Sequence, residues 1–70
     1  MICIDGGVTV SAASKLMREA QVDEVLVMQR IAGCPVPAGI VSARDIVVHV
    51  LGVELDPDVF TVGDVLACNA

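Results

Sequence analysis

The stretch "GIVSARDIVVHVLG", residues 39–52, changes character at its centre. Gly39, Ile40 and Val41 are a short apolar run rich in β-branched residues, which suits a strand. A helix-like pattern then runs over about residues 43–51 and stops at Gly52, a residue suited to the end of a helix. At the joint stand Ser42, Ala43, Arg44 and Asp45. A hydroxyl followed three residues later by a carboxylate is the spacing of a capping box, in which each side chain satisfies the other's backbone amide. The same turn suits a bound nucleotide. A carboxylate accepts from two vicinal hydroxyls, and a hydroxyl beside exposed helix amides is an anion donor. The spacing is compatible with both roles.

Outward from this joint the chain punctuates itself clearly. MICI, residues 1–4, reads as a strand and Asp5-Gly6-Gly7 as a turn. Val10, Ala13, Leu16, Met17 and Ala20 share one helical face, with Ser11, Ser14, Lys15, Arg18 and Glu19 on the other. Thr9 stands where an N-cap belongs, although Ala12 cannot complete a capping box. VLVM, residues 25–28, is a second strand. Pro35 and Pro37 place the next stretch in a loop or at a sheet edge, since proline has no amide to donate to a central ladder. Residues 38–41 form the third strand, followed by the second helix. Asp56-Pro57-Asp58 is turn chemistry, and Thr61 and Asp64 repeat the hydroxyl-x-x-carboxylate spacing before a short helical turn. The order is strand, helix, strand, strand, helix, then a stub. The second and third strands form an antiparallel hairpin. The expected fold is α+β, an α/β sandwich of a three-stranded sheet with two helices on one face.

Composition narrows the function classes. A chain of 70 residues buries a small fraction of its surface, yet 56% of its residues are hydrophobic and Phe60 is its one aromatic. The aliphatic surplus implies a contact face, most simply for a second copy in a homodimer. The net charge is −5, with basic residues only at Lys15, Arg18, Arg30 and Arg44, which argues against nucleic-acid binding. Cys3, Cys34 and Cys68 are odd in number and widely spaced, so the expectation is reduced thiols in a cytoplasmic protein, with no disulfide framework and no metal site. No stretch reaches membrane-spanning length, and the N-terminus has no basic segment followed by an apolar core. One histidine with neither Tyr nor Trp supplies no nucleophile, base and orienting group, so no enzyme is expected.

The same residues carry a resemblance. "PAGIVSARDIVVHVL", residues 37–51, resembles the signature of a CBS domain, the family named after cystathionine β-synthase. It has the pattern of Gly, two aliphatics, Ser or Thr, two variable positions, Asp and an aliphatic. "VTVSAASKLMREAQVDEVLVM", residues 8–28, resembles that family's first helix and following strand. "ELDPDVFTVGDVL", residues 54–66, looks like the segment that links one CBS motif to the next. The resemblance covers nearly the whole chain. It implies a single CBS motif over residues 1–60 and, over residues 61–70, a lead-in to a second. The sequence departs from the family pattern at Ala12, where a Glu is common, at Leu26, near which a Pro is frequent, and at Leu66, where Met is usual.

The resemblance also implies a function. CBS motifs pair sheet to sheet, and adenosine-containing ligands bind in the clefts between them. The expectation is a non-catalytic regulatory module whose cleft is completed by a second motif, from another copy of the chain. AMP, ADP, ATP or S-adenosylmethionine is the implied ligand, and no cofactor is required. Ser42 and Asp45 would take phosphate and ribose, Arg44 would clamp phosphate with its planar donor fork, and Ile4 and Val41 would lie beside the base. The alternative is a purely structural homodimerisation module in which Ser42 and Asp45 only cap a helix. His49 is expected at a surface or an interface.

Overall fold

A computed structural model of the protein describes residues 1–68. The sheet has three strands, β1 (Cys3–Asp5), β2 (Glu24–Ile31) and β3 (Cys34–Ser42), in the spatial order β1-β2-β3. Helix α1 (Val10–Ala20) carries the chain from β1 to β2, which therefore run parallel. A two-residue turn joins β2 to β3 as an antiparallel hairpin. Ala32 and Gly33 in that turn have φ of 53° and 80°, the twist that a tight hairpin requires. Helix α2 (Ala43–Ile46) continues directly into a π-helical segment (Val47–Leu51), and helix α3 (Val62–Cys68) closes the described chain.

The strands explain their own composition. Ile4, Val25, Val27 and Val41 alternate onto one face, where they are buried beneath Val10, Ala13, Met17, Ile46, Val50, Val62 and Val65 from the helical segments. The core is thus built from aliphatic residues, mostly valine, with Phe60 only packing against its side. Leu26, Met28 and Ile40 alternate onto the opposite face. Pro35 and Pro37 both fall in β3, an edge strand, two residues apart, so that neither has to donate to β2. A bulge opposite Val27 and Met28 skips Ala38 between them.

Several sequence expectations need adjustment. The hairpin extends past Met28 through Gln29, Arg30 and Ile31, which are exposed. The ladder hydrogen bonds sustain it beyond the core, where no apolar pattern marks it. On α1 only Val10, Ala13 and Met17 are buried, while Leu16 and Ala20 lie exposed. A sheet this small covers a stripe narrower than the apolar face of the helix. Gly52 ends the second helical stretch, but with right-handed φ of −64°, so it is not a left-handed C′ residue. Its role is a close approach. The wide π turn, closed by Gly52 N–H to the Val47 carbonyl at 2.7 Å, would place a Cβ 2.8 Å from the Val48 oxygen.

The segment read as the lead-in to a second motif packs back on the first. Val62 and Val65 are buried, Leu66 lies against Gly39, and Thr61 bridges to Thr9. Three helices, rather than two, therefore share the covered side of the sheet. Residues 69 and 70, the last of that expected stub, lie outside the described residues.

Candidate functional site

The passage from β3 into α2 has the capping geometry that its sequence implies. Asp45 N–H donates to Ser42 Oγ at 3.1 Å, and Ser42 N–H donates to Asp45 Oδ2 at 2.9 Å. The Ser42 hydroxyl in turn donates to Asp45 Oδ2 at 3.0 Å. A phosphate that takes the Ser42 proton must therefore exchange with an internal hydrogen bond. Such an exchange costs little, because one charge-assisted bond replaces another. Both residues are half-buried.

The molecule contains its own comparison. Thr61 N–H donates to Asp64 Oδ2 at 3.0 Å, and Asp64 N–H to Thr61 Oγ1 at 3.2 Å. This second box, at the start of α3, has the same two backbone bonds. Asp64 is exposed, however, and neither Thr61 nor Asp64 lies at the end of the sheet that holds Ser42. Capping geometry alone does not distinguish the two turns; their surroundings do.

Those surroundings come from distant parts of the chain. Ser42 stands opposite Glu24 in the hairpin, and Leu26 N–H reaches the Ile2 carbonyl at 2.8 Å, so Ile2, Glu24 and Ser42 share one end of the sheet. The Asp23 carbonyl accepts from Ala43 N–H at 2.7 Å, tying the lead into β2 to the first residue of α2. Two concavities meet there. One, of about 530 Å³, is lined by Met1, Ile2, Gln21, Val22, Asp23 and Glu24. The other, of about 580 Å³, shares Gln21, Val22 and Asp23 and runs between α1 and the second helical stretch, past Met17, Ala43, Ile46, Val47 and Leu51. The larger groove thus adjoins the Ser42–Asp45 turn without being lined by either side chain.

The remaining expected site residues fall in three kinds of place. Arg44 is exposed at the start of α2. Ile4 and Val41 are buried in the core under the helices, so their side chains are closed to a ligand. His49 is half-buried in the π-helical segment. Asp56 Oδ1 accepts from Asp58 N–H at 2.9 Å, an Asx turn that accounts for Asp-Pro-Asp without any paired-carboxylate chemistry. Ile2, Asp23 and Glu24 are the site neighbours that reading the sequence missed. Only the register of β1 and β3 on β2 brings them to Ser42. Among the described residues no group of three or more His, Cys, Asp or Glu is placed to hold a metal ion, and no helix is long and apolar enough to cross a membrane.

Solved structures with this architecture exist. A cystathionine β-synthase domain protein fused to a Zn-ribbon-like domain superimposes with a TM-score of 0.79 at 22% identity, over 91% of this chain and 86% of that one. The chain has a CBS-like fold. The crystal structure of Hypoxic Response Protein I, determined with two coordinated zinc ions, matches this CBS-like chain with a TM-score of 0.82 at 27% identity, over 94% of this chain and 51% of that one. An uncharacterized conserved protein from Pyrococcus horikoshii matches at 0.71 and 23% identity, over 97% and 61%. The chain therefore spans about half the length of Hypoxic Response Protein I. No protein-family model matches the sequence, and no curated protein sequence does.

Proposed function

We propose that this CBS-like chain is a non-catalytic regulatory module that binds an adenosine-containing ligand, AMP, ADP, ATP or S-adenosylmethionine, at the Ser42–Asp45 turn. The observation that carries the reading is the place of that turn in the fold. It lies where β3 passes into α2, at the end of the sheet shared with Ile2 and Glu24, beside two joined concavities. Asp45 would accept from the ribose hydroxyls, with Ser42 and Arg44 donating to phosphate. The base would rest near the strand ends and be read by backbone groups of Ile4 and Val41. Leu26, Met28 and Ile40 leave one sheet face without a covering layer in this chain. A second copy packed on that face would supply the other wall of the cleft, and ligand-dependent packing of the two sheets would signal to a partner protein.

Calorimetric titration with AMP, ATP and S-adenosylmethionine tests this. Asp45→Asn is expected to weaken binding at least about tenfold, the worth of one lost charge-assisted hydrogen bond. Asp64→Asn alters the equivalent cap on α3 and is expected to bind as the wild type does. No heat with any of the three ligands overturns the binding claim. Equal losses in both variants would show that the effect comes from capping and stability, and would leave the structural homodimer as the better reading.

A further inference from the structure

The charges around the Ser42–Asp45 turn bear on which adenosine ligand it takes. Glu24 stands directly opposite Ser42 in the β2–β3 hairpin. Val25 and Val41, the next pair, are buried under the helices, so Glu24 and Ser42 share the other face of the sheet. Residues paired in this way hold their Cβ atoms about 5 Å apart. The Asp23 carbonyl accepts from Ala43 N–H at 2.7 Å, which fixes Asp23 beside the same turn. Asp45 Oδ2 accepts from the Ser42 amide and hydroxyl within it. Three acidic residues, Asp23, Glu24 and Asp45, thus meet at one end of the sheet.

The basic residues are fewer there. Among the described residues, the concavity of about 530 Å³ is lined by Asp23 and Glu24 and by no Lys or Arg side chain. The groove of about 580 Å³ adds Arg18 on its α1 wall. Arg44, exposed at the start of α2, is the one guanidinium in the turn itself. Arg30 lies six residues along β2 from Glu24, about 20 Å away, and Lys15 lines neither concavity. A polyphosphate bonded to Ser42 would therefore lie against the Glu24 carboxylate. Repulsion between like charges about 4 Å apart costs about a factor of five in affinity even at the dielectric constant of water. A ligand tail of mixed sign meets the opposite situation. S-adenosylmethionine carries a carboxylate, an ammonium and a sulfonium. Its carboxylate suits the Ser42 hydroxyl and the planar fork of Arg44, and its two cationic centres suit Glu24 and Asp23.

We infer that this site selects among adenosine ligands by charge and takes S-adenosylmethionine in preference to AMP, ADP and ATP, with Glu24 and Asp23 as the specificity-determining residues. The inference rests on the reading of the Ser42–Asp45 turn as an adenosine site. Affinity falls in the order S-adenosylmethionine, AMP, ADP, ATP, as negative charge on the tail grows. Both carboxylates are exposed, so the preference narrows as salt is added.

Calorimetric titration of the full chain with each of the four ligands tests this, on the wild type and on the double variant Asp23→Asn with Glu24→Gln. Circular dichroism checks the folding. Asp23 bonds Ala43 through its carbonyl, so neither substitution removes a hydrogen bond that holds the turn. The variant is expected to bind ATP about fivefold more tightly and S-adenosylmethionine about fivefold more weakly. Opposite changes for two ligands in one protein cannot come from a loss of folding or of a cap. Wild-type affinity for ATP equal to or above that for S-adenosylmethionine overturns the inference, as does a variant that shifts both ligands in the same direction. Either result leaves adenosine binding at the turn standing. No heat with any of the four ligands overturns that underlying reading, and the inference with it.

Discussion

Ser42 and Asp45 show how much chemistry a spacing of three residues can hold. Their side chains close a capping box, and the Ser42 hydroxyl adds a third bond to the carboxylate. Thr61 and Asp64 repeat the box elsewhere, and Thr9 caps α1 with a single bond from Ala12 N–H at 3.2 Å. All three caps were legible in the sequence, because a cap is made by residues close together along the chain. Another local feature was not legible. Ala32 takes φ of 53° in the hairpin turn, a conformation that places Cβ against the backbone and costs an L-residue about 1 kcal/mol. Asn tolerates that conformation, and Asn-Gly is favoured in such turns. Ala32→Asn is therefore expected to raise stability by about 0.5–1 kcal/mol, measured as a shift of the urea midpoint at constant slope. An unchanged or lowered midpoint would contradict this account of the turn.

At the scale of elements, the close contact of α3 with the turn after β1 holds the end of the described chain to its beginning. Val62 N–H bonds the Val8 carbonyl at 2.9 Å and Gly63 N–H bonds the Gly6 carbonyl at 3.0 Å. A Cβ on Gly63 would lie 2.9 Å from the Gly6 oxygen, a backbone atom that cannot step aside like a flexible side chain. Gly63→Ala is expected to separate α3 from this turn and to lower stability by about 1–3 kcal/mol, in the range for overpacking. Hydrogen exchange should show the Val62 and Gly63 amides losing protection before those of the β2–β3 ladder. Uniform loss across the protein would instead mean that α3 is an inseparable part of one cooperative unit. The helix boundaries illustrate a related limit. The sequence marks where the second helical stretch begins and where it stops, at Gly52, but not that the last five residues widen into a π-helix. Within that segment Val50 meets the core while Val47, Val48 and Leu51 stay outside.

At the scale of the whole molecule, the hydrophobic surplus is divided between two sides of one sheet. A sheet layered on one side only leaves Leu26, Met28 and Ile40 on the other, with Ile40 46% exposed. The effect of association on stability is a mass-action one, since a partner that binds only the folded chain stabilises it in proportion to the logarithm of its concentration. The melting temperature is accordingly expected to rise with protein concentration. Ile40→Glu should flatten that dependence while the chain remains folded at high concentration, because the side chain is already half in water. A melting temperature independent of concentration would argue against self-association as the source of stability.

The sequence alone determined the order of elements, the hairpin, the exclusion of Pro35 and Pro37 from a central strand, the caps and the CBS-like resemblance. These follow from local periodicity, from proline's missing amide and from side chains bonding amides three residues away, all of which act over short chain distances. The tertiary structure alone decided which residues stand beside Ser42, since Ile2, Asp23 and Glu24 arrive there through strand register. It also decided that α3 packs back on the first motif, and which apolar residues lie inside. Val10, Ala13 and Met17 are buried while Leu16, Val47, Val48 and Leu51 are not, although all are apolar. Burial depends on how much surface a three-stranded sheet can cover, and that area is a property of the assembled layers rather than of any stretch of chain.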